Sequence, residues 1–491
     1  MRRAATWRKL AAGVGALLLT CLLVQPAGAD QNAPARPAKS AAPSDFPLAD
    51  RLAAGVTGRD VYRHLQALQR IADTSDGNRG YDRIGFTRSV GYVSSLLKAA
   101  GYHVTEQPVP YTDFDVQTER LAVSGLAEGT RDVRVLMTRF TPSTPPEGIE
   151  APLVSLPDGR TGCTAADYDG VDVAGAVVIS ARAACGYGLQ QQVAAEVGAR
   201  AMLLYYPTPS AENIYRLIGY TPPAYTIPVA SVAQDEGEAL ARAAADGKTR
   251  VQLTLRAENV QRTTVNLLAE TSGGDADNVV LIGSHLDSVT ENAGLNDNGS
   301  TAAAVLQTAL ALAPQQNAVK NKVRFAWWGA EELVNVGSEY YVDHLPASEL
   351  QRISAVLNGE LIASPNYARF VWDPGSGGSH VIAELFAGYF GARGLPYDRQ
   401  SPNAIGSDHL AFQEVGLPVG GIDGGNLKVK TQEQQLRYGG KAGEMYDHCY
   451  HQVCDQLGNI NQEALATNAP ALAWVLGRLA TYDEDVRTAT R

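Results

Sequence analysis

From residue 263 to residue 486 the chain alternates between strand-type and helix-type segments, and this alternation constrains the fold more than any other sequence feature. Apolar runs such as NVVLIGSH, KVRFAWWGA and ISAVLNGELIA are separated by helical stretches such as STAAAVLQTALALA. Such alternation is typical of a doubly wound α/β sheet with helices on its faces. Ligands bind such sheets at the carboxyl ends of the strands, so functional residues are expected there.

The remaining residues have a different texture. Residues 58–101 carry apolar residues at helical spacing, whereas residues 113–262 hold many short β-type runs separated by turn residues, which indicates a separate β-rich domain inserted into the α/β domain. The predicted organisation is a signal peptide at 1–29, a flexible linker or propeptide remnant at 30–46, a first segment of the α/β domain at 47–112, the inserted domain at 113–262, the main α/β domain at 263–486, and a tail at 487–491.

The first residues are typical of an export signal. Basic residues precede an apolar run from Leu10 to Val24, and Ala27-Gly28-Ala29 forms an A-x-A cleavage site, so cleavage after Ala29 and secretion are expected. Removal of residues 1–29 changes the formal net charge from −11 to −15. An acidic chain without a long apolar span argues against nucleic-acid binding and against a stable membrane anchor. A monomer is the expected oligomeric state.

The cysteine count agrees with export. Four cysteines follow the predicted cleavage site, and an even number in a secreted chain suggests two disulfides. Three pairings are possible, and closeness in sequence favours Cys163 with Cys185 and Cys449 with Cys454.

Polar motifs occur where the predicted strands end. They combine two histidines with several carboxylates, in the stretches GSHLDS (283–288), NDNGS (296–300), WWGAEE (327–332), NGE (358–360) and CYHQVC (449–454). Imidazole and carboxylate ligands together suit zinc, and such a dense cluster of charge is costly without a metal. The structural alternative for any one motif is a turn or a surface pair, and the specificity comes from the ordered set.

The ligand count suits two ions that share one site. One zinc would take His285 and Glu360, and the other would take Glu332 and His451. Asp297, together with a water, would bridge the two ions, which gives each ion four ligands. Paired metals of this kind occur in aminopeptidases.

Two further acids have different expected roles. Glu331 is adjacent to Glu332 and cannot point the same way, so it can face the bridging water as general base. Asp287 lies two residues beyond His285 and can accept the free ring N–H of that histidine, which would orient the imidazole.

The ordered motifs resemble those of the secreted di-zinc aminopeptidases related to aminopeptidase Y and the bacterial leucyl aminopeptidases. GSHLDS, GLNDNGS, FAWWGAEE, GSDH (406–409) and CYHQVCD follow that family's pattern in order over residues 263–486. The resemblance implies a mixed sheet of the zinc-peptidase fold, two Zn²⁺ per chain, and zinc ligation by His285, Asp297, Glu332 and His451. It also implies Glu331 as the base, Tyr450 as an oxyanion donor, and a small disulfide loop that presents Tyr450 and His451.

One site position departs from the family pattern. The family has Asp where this chain has Glu360, which keeps the carboxylate on a side chain one methylene longer.

Residues 113–262 are similar to a protease-associated domain in the Cys163–Cys185 pair, the GAVVIS strand and the VGARAMLLYY helix–strand unit. Such domains carry no catalytic residues and often border the substrate entrance.

The predicted function is therefore secreted di-zinc aminopeptidase action on the amino termini of peptides or proteins. Glu331 and Glu360 would hold the substrate α-ammonium, and Tyr450 would stabilise the oxyanion. The alternatives are a carboxypeptidase of the same fold, which needs a basic anchor that the motifs lack, a glutaminyl cyclase, and a catalytically impaired binding protein. The chain has no G-x-S-x-G, P-loop or G-x-G-x-x-G motif, so serine hydrolases and nucleotide-binding enzymes are not favoured.

Overall fold

The computed structural model describes residues 45–157, 159–207, 213–218 and 225–488. The predicted signal peptide, its cleavage site after Ala29 and nearly all of the predicted linker lie outside these residues, as do the last three residues of the predicted tail. Among the described residues, no helix combines the length and apolar character needed to cross a bilayer.

The helices of the described residues begin with α1, which has Pro47 in its first turn. Helix α2 is capped by the Thr57 hydroxyl, which accepts a hydrogen bond from the Asp60 N–H. The bounds are α1 Pro47–Gly55, α2 Gly58–Asp73, α3 Ile84–Ala99, α4 Tyr187–Glu196, α5 Gln234–Ala244, α6 Gly299–Leu312, α7 Val336–His344, α8 Ala347–Leu350, α9 Gly377–Gly391, α10 His409–Glu414, α11 Gln432–Tyr438 and α12 Gln462–Leu479.

The strands include two long ones, β1 and β8, and several short buried ones. The bounds are β1 His103–Leu126, β2 Gly129–Val133, β3 Leu136–Met137, β4 Ile149–Ser155, β5 Val177–Ala181, β6 Ala201–Tyr205, β7 Val229–Val232, β8 Arg250–Glu270, β9 Asp275–His285, β10 Asn321–Trp328, β11 Ile353–Glu360, β12 Phe370–Trp372, β13 Asp398–Gln400 and β14 Val419–Asp423.

Strands β10, β9, β11 and β14 are adjacent and parallel, which makes them the centre of the sheet. Strand β8 pairs antiparallel with β10 on one side, and β12 pairs antiparallel with β14 on the other. The sheet is therefore mixed, as expected. Because the four central strands run in the same direction, their carboxyl ends meet at one edge.

Helices cover both faces of this centre. In β9, Val280 and Ile282 face a large core that helices α1, α2, α3, α6, α9 and α12 help to build, whereas Leu281 faces a smaller core beneath α7 and α10. This alternation follows from the period of two along a strand. The predicted doubly wound α/β architecture is confirmed.

The insert is connected through a long antiparallel ribbon of β1 and β8, paired from His103 with Glu270 to Ser124 with Arg250. At its far end β8 also pairs with β4, which continues into the parallel strands β5, β6 and β7. The predicted limits of the insert, residues 113 and 262, lie within the ribbon and almost opposite each other. The limits themselves remain a prediction.

The structure joins Cys163 to Cys185 and Cys449 to Cys454, the pairing that closeness in sequence favours. The first disulfide lies within the insert. The second closes a short loop that carries Tyr450 and His451, so it restricts the conformations available to both side chains.

Gly337, at the start of α7, provides a test of how closely α7 packs against the sheet. A Cβ at this position would collide with the Asn266 side chain and the Gly329 backbone, which lie directly beneath it. Gly337→Ala is therefore expected to lower the free energy of unfolding by about 1–3 kcal/mol. Gly388→Ala is the matched control, because Gly388 is exposed within α9 and a Cβ there meets nothing within 4 Å. This control should stabilise by up to about 1 kcal/mol. Equal denaturation midpoints for the two variants would contradict the packing described.

Candidate metal centre

Four site residues lie at or just beyond the carboxyl ends of the central strands. Strand β9 ends at His285 and β11 ends at Glu360, while Glu331 and Glu332 begin a 3₁₀ turn just after β10. Ala330, before this turn, has a left-handed conformation with φ of 59°, which reverses the chain so that both glutamates face the sheet edge. Parallel pairing therefore brings together side chains that are 75 positions apart in sequence.

Asp297 is placed by its loop rather than by a strand. It precedes α6, and its backbone N–H donates to Asp455 Oδ2 at 3.0 Å, while the N–H of Asn296 donates to Asp455 Oδ1 at 2.8 Å. Because Asp455 accepts both backbone groups, the Asp297 side chain is free to point into the site. Asn298 also serves the site, since its Nδ2 donates to Glu360 Oε1 at 2.8 Å.

The two carboxylate oxygens of Asp297 face different histidines. Asp297 Oδ1 lies 3.5 Å from His285 Nε2, and Asp297 Oδ2 lies 3.1 Å from His451 Nε2. Glu360 Oε1 lies 3.8 Å from His285 Nε2, and Glu332 Oε2 lies 3.1 Å from His451 Nε2. Two groups result, His285–Asp297–Glu360 and Asp297–Glu332–His451, and within each the potential ligand atoms lie within 4.8 Å of one another. These are the two sets expected from the sequence, with Asp297 common to both.

Glu360 reaches the site despite its extra methylene. Its Oε1 accepts hydrogen bonds from Asn298 Nδ2 and from the Ser407 hydroxyl. Ser407 in turn accepts from Asn358 Nδ2 at 2.9 Å. The longer side chain is thus held in one orientation by two neighbours, and the second of them, Ser407, is itself positioned by Asn358.

Glu331 and Glu332 diverge as the sequence predicts. Glu331 Oε2 lies 3.6 Å from His285 Nε2, whereas Glu332 faces His451. Asp287 holds the turn that carries both glutamates, because its two carboxylate oxygens accept the backbone N–H groups of Glu331 and Glu332 at 3.3 and 3.2 Å.

The contact between Asp287 and His285 differs from the expected one. His285 Nδ1 lies 3.1 Å from the backbone carbonyl oxygen of Asp287 but 3.8 Å from its carboxylate. A carbonyl oxygen can only accept, so Nδ1 is the donor and Nε2 is left as the atom that faces the site. Asp287 orients the imidazole through its backbone, because its side chain is already engaged with the turn after β10.

The disulfide loop presents the remaining two residues. The Tyr450 ring stacks on the His451 ring with centroids 3.9 Å apart, and it also packs against Leu361, Trp372 and Ile405. Burial and the site carboxylates together raise the pKa of Tyr450 well above its ordinary value. The hydroxyl therefore keeps its proton and can act as a donor.

The centre holds more negative charge than its cations balance. Burial raises the pKa of Asp287 to about 7, and burial together with Asp408 and Glu360 raises the pKa of Glu331 well above its ordinary value. Burial favours neutral His285, yet Glu331 and Glu360 outweigh it and raise the pKa of that imidazole. The site therefore attracts positive charge.

The donor set fits a pair of divalent metal ions. Imidazole nitrogen and carboxylate oxygen are zinc ligands, and the two groups provide them in equal numbers around a shared carboxylate. Glu332 Oε1 is buried and has no hydrogen-bond partner among the described residues, which is costly for a carboxylate unless a cation is bound. Cations at these positions would neutralise the cluster.

Several supporting residues were not predicted from the sequence. Arg79 is fully buried, and its Nε and Nη2 donate to the carbonyl oxygens of Ala293 and Gly294 at 2.8 and 2.7 Å, which fixes the loop between β9 and Asp297. Asp447 accepts from Asn296 Nδ2 at 2.6 Å. Arg79 lies in a turn more than 200 positions before the loop it binds, so no local signal could have found it.

Known proteins resemble this chain in both sequence and fold. Residues 266–475 match peptidase family M28, and residues 149–240 match the PA domain, inside the predicted insert. An aminopeptidase of Pseudomonas aeruginosa is 35% identical over 454 residues, which cover 88% of this chain and 83% of that protein. A probable lipoprotein aminopeptidase, LpqL, of Mycobacterium tuberculosis is 36% identical, covering 85% of this chain and 84% of its own.

A zinc aminopeptidase from Bacillus subtilis shares the fold, with a TM-score of 0.68 at 21% identity over 88% of this chain and 98% of that one. Residues 266–475, which match the family, contain His285, Asp297 and His451, and the relative from P. aeruginosa is 35% identical over 88% of this chain, so this chain belongs to peptidase family M28.

Proposed function

We propose that this protein is an aminopeptidase that uses two zinc ions to hydrolyse the first peptide bond of substrates with a free amino terminus. The observation that carries the proposal is the pair of ligand groups that share Asp297, with Glu331 beside them. The names of the relatives from P. aeruginosa and M. tuberculosis, both aminopeptidases, support the same reaction class.

The proposed ligands are His285 and Glu360 for one ion, Glu332 and His451 for the other, and Asp297 for both. When bound, zinc would supply Lewis acidity that lowers the pKa of a water and polarises the scissile carbonyl. The side chains would hold the ions close together, because Asp297 would be a ligand of both.

Glu331 is proposed as the general base that takes a proton from the attacking water and returns it to the leaving amine. Its backbone is fixed by Asp287, and its carboxylate lies 3.6 Å from His285 Nε2, where it faces the site without belonging to either ligand group. Burial raises the pKa of Glu331, which makes its ionised carboxylate a stronger proton acceptor than an exposed one.

Tyr450 is proposed to donate a hydrogen bond to the oxyanion that develops on the scissile carbonyl. Glu331 and Glu360 would attract the substrate α-ammonium, because both carboxylates lie on the His285 side of the centre. A cationic amino terminus in this position favours exopeptidase over endopeptidase action.

Acetylated substrates distinguish the proposed activity from its alternatives. The purified protein should release leucine from Leu-Gly-Gly and nothing from N-acetyl-Leu-Gly-Gly, and it should hydrolyse Gln-Gly-Gly without release of ammonia. Cleavage of the acetylated peptide would indicate a carboxypeptidase, and ammonia would indicate a glutaminyl cyclase. No reaction with any zinc-loaded sample would favour a binding protein.

Export and a monomeric state are also proposed. The two disulfides support an oxidising compartment, and the acidic sequence with its apolar leader agrees with a secreted product. Mass spectrometry of protein from culture medium tests this, since a mature chain should begin at Asp30.

Glu331→Gln is expected to lower kcat by at least about 100-fold while zinc content stays at the wild-type value, because the amide cannot accept the proton. The measurement is single-substrate kinetics on leucine p-nitroanilide together with metal analysis. Glu414→Gln is the matched control, since Glu414 is exposed on α10 away from the site. Wild-type turnover by Glu331→Gln would exclude this base.

Metal analysis tests the shared ligand. Wild-type protein should carry about two zinc ions per chain, His285→Ala and His451→Ala should each retain about one, and Asp297→Ala should retain almost none, because only Asp297 belongs to both groups. His103→Ala, at an exposed position, should keep both ions. If the wild type binds a single zinc, the paired site is wrong.

Tyr450→Phe is expected to reduce kcat about 100-fold with a small change in KM, because a donor to the oxyanion acts mainly in the transition state. Tyr62→Phe, on α2, is the control and should match the wild type. A change confined to KM would mean that Tyr450 binds the substrate ground state instead.

A further inference from the structure

A cavity opens beside the metal centre on the side of Glu332 and His451. Its volume is about 60 Å³, which admits a side chain or a chain terminus and not a folded segment. The opposite wall comes from the insert and includes three arginines, Arg134, Arg139 and Arg216. The sequence motifs contain no basic anchor, so this cationic wall exists only because the fold brings the insert to the site.

The three arginines differ in how closely their guanidinium groups are paired with carboxylates. Arg216 Nη1 lies 2.6 Å from Glu119 Oε1, and its Nε lies 3.3 Å from Glu291 Oε1. Arg139 Nη1 has a longer contact of 3.4 Å with Asp113 Oδ1. Arg134 is exposed, and no hydrogen bond or ion pair to it occurs among the described residues.

The position of the cavity indicates which part of a substrate it meets. Under the proposed function, the α-ammonium lies on the His285 side, near Glu331 and Glu360. The peptide on the carboxyl side of the scissile bond must then extend the other way, past Glu332 and His451, and this is where the cavity lies.

We infer that Arg134, with Arg139 in the lining of the same cavity, binds a carboxylate of the leaving peptide. A guanidinium pairs with a carboxylate through two parallel hydrogen bonds, and a half-enclosed cavity strengthens such a pair. The preferred substrates are therefore short peptides in which a carboxylate follows the scissile bond closely. It can be the terminal carboxylate of a dipeptide or the acidic side chain of the second residue. This inference rests on the proposed aminopeptidase activity.

Four leucyl substrates separate the two sources of the carboxylate. The ratio of kcat/KM for Leu-Gly to that for Leu-Gly-amide reports a terminal carboxylate, and the ratio for Leu-Glu-amide to Leu-Gln-amide reports a side-chain carboxylate. At least one ratio should be about 10 at low salt and should fall towards 1 at 1 M NaCl, because exposed charges are screened. A merely structural arginine would not give this salt dependence.

Variants of Arg134 complete the test. Arg134→Gln should lower the elevated ratio about tenfold, Arg134→Lys should restore part of it, and Arg134→Glu should bring it below 1. Arg242→Gln is the matched control, since Arg242 is an exposed arginine of the insert on α5 and lies outside the cavity lining. It should keep the wild-type ratios.

The possible failures are distinguishable. If none of the four substrates is cleaved, the proposed function itself fails. If all four are cleaved and both ratios are near 1 in the wild type, or are the same in Arg134→Gln, the activity stands and the carboxylate-binding role of Arg134 is overturned.

Discussion

The placement of Asp297 between two histidines is the interaction on which the site depends. One carboxylate oxygen faces His285 and the other faces His451, so a single side chain joins two halves of the centre that arise from opposite ends of the main domain. This is possible because Asp455 accepts hydrogen bonds from the backbone N–H groups of residues 296 and 297. These bonds fix the loop without using the Asp297 side chain. Each buried carboxylate that is added makes bound cations more favourable and their absence more costly.

The sheet can carry this concentration of charge because its strands are apolar and only its edge is polar. Burial of the apolar strands offsets the energetic cost of the charged cluster. Val280, Leu281 and Ile282 pack into cores on both faces, and only the last residue of β9, His285, enters the centre. The same separation holds in β11, which is buried throughout and ends at Glu360. The apolar middle of each strand therefore contributes stability, and its last residue contributes the ligand. A substitution that disturbs the packing would shift the ligand without deleting it.

The sequence was sufficient to predict the α/β architecture and, for His285, Glu332 and Glu360, their meeting at one edge of a parallel sheet, because each follows an apolar run. Asp297 and His451 lie in loops, and their ligand roles remain a proposal. The sequence was not sufficient for Arg79, whose partners lie more than 200 positions away, or for the contact of His285 with the Asp287 carbonyl. The His285 ring donates to the Asp287 carbonyl because the Asp287 carboxylate already accepts hydrogen bonds from the N–H groups of the turn after β10. Local spacing predicts which side chains are near and does not predict which of two acceptors is free.

The insert acts on the site through contacts that cross its own boundary. Asn213 Nδ2 donates to the His448 carbonyl at 3.2 Å, and Gln452 Nε2 donates to the Ile214 carbonyl at 3.3 Å, so the insert touches the disulfide loop that carries His451. Arg216 adds ion pairs to Glu119 of the ribbon and Glu291 of the main domain. With the continuous pairing of β1 and β8 behind it, the cationic wall is held against the metal centre by several independent contacts. These contacts order the insert rather than the Arg134 side chain, so a substrate carboxylate bound by Arg134 would have only that side chain left to order.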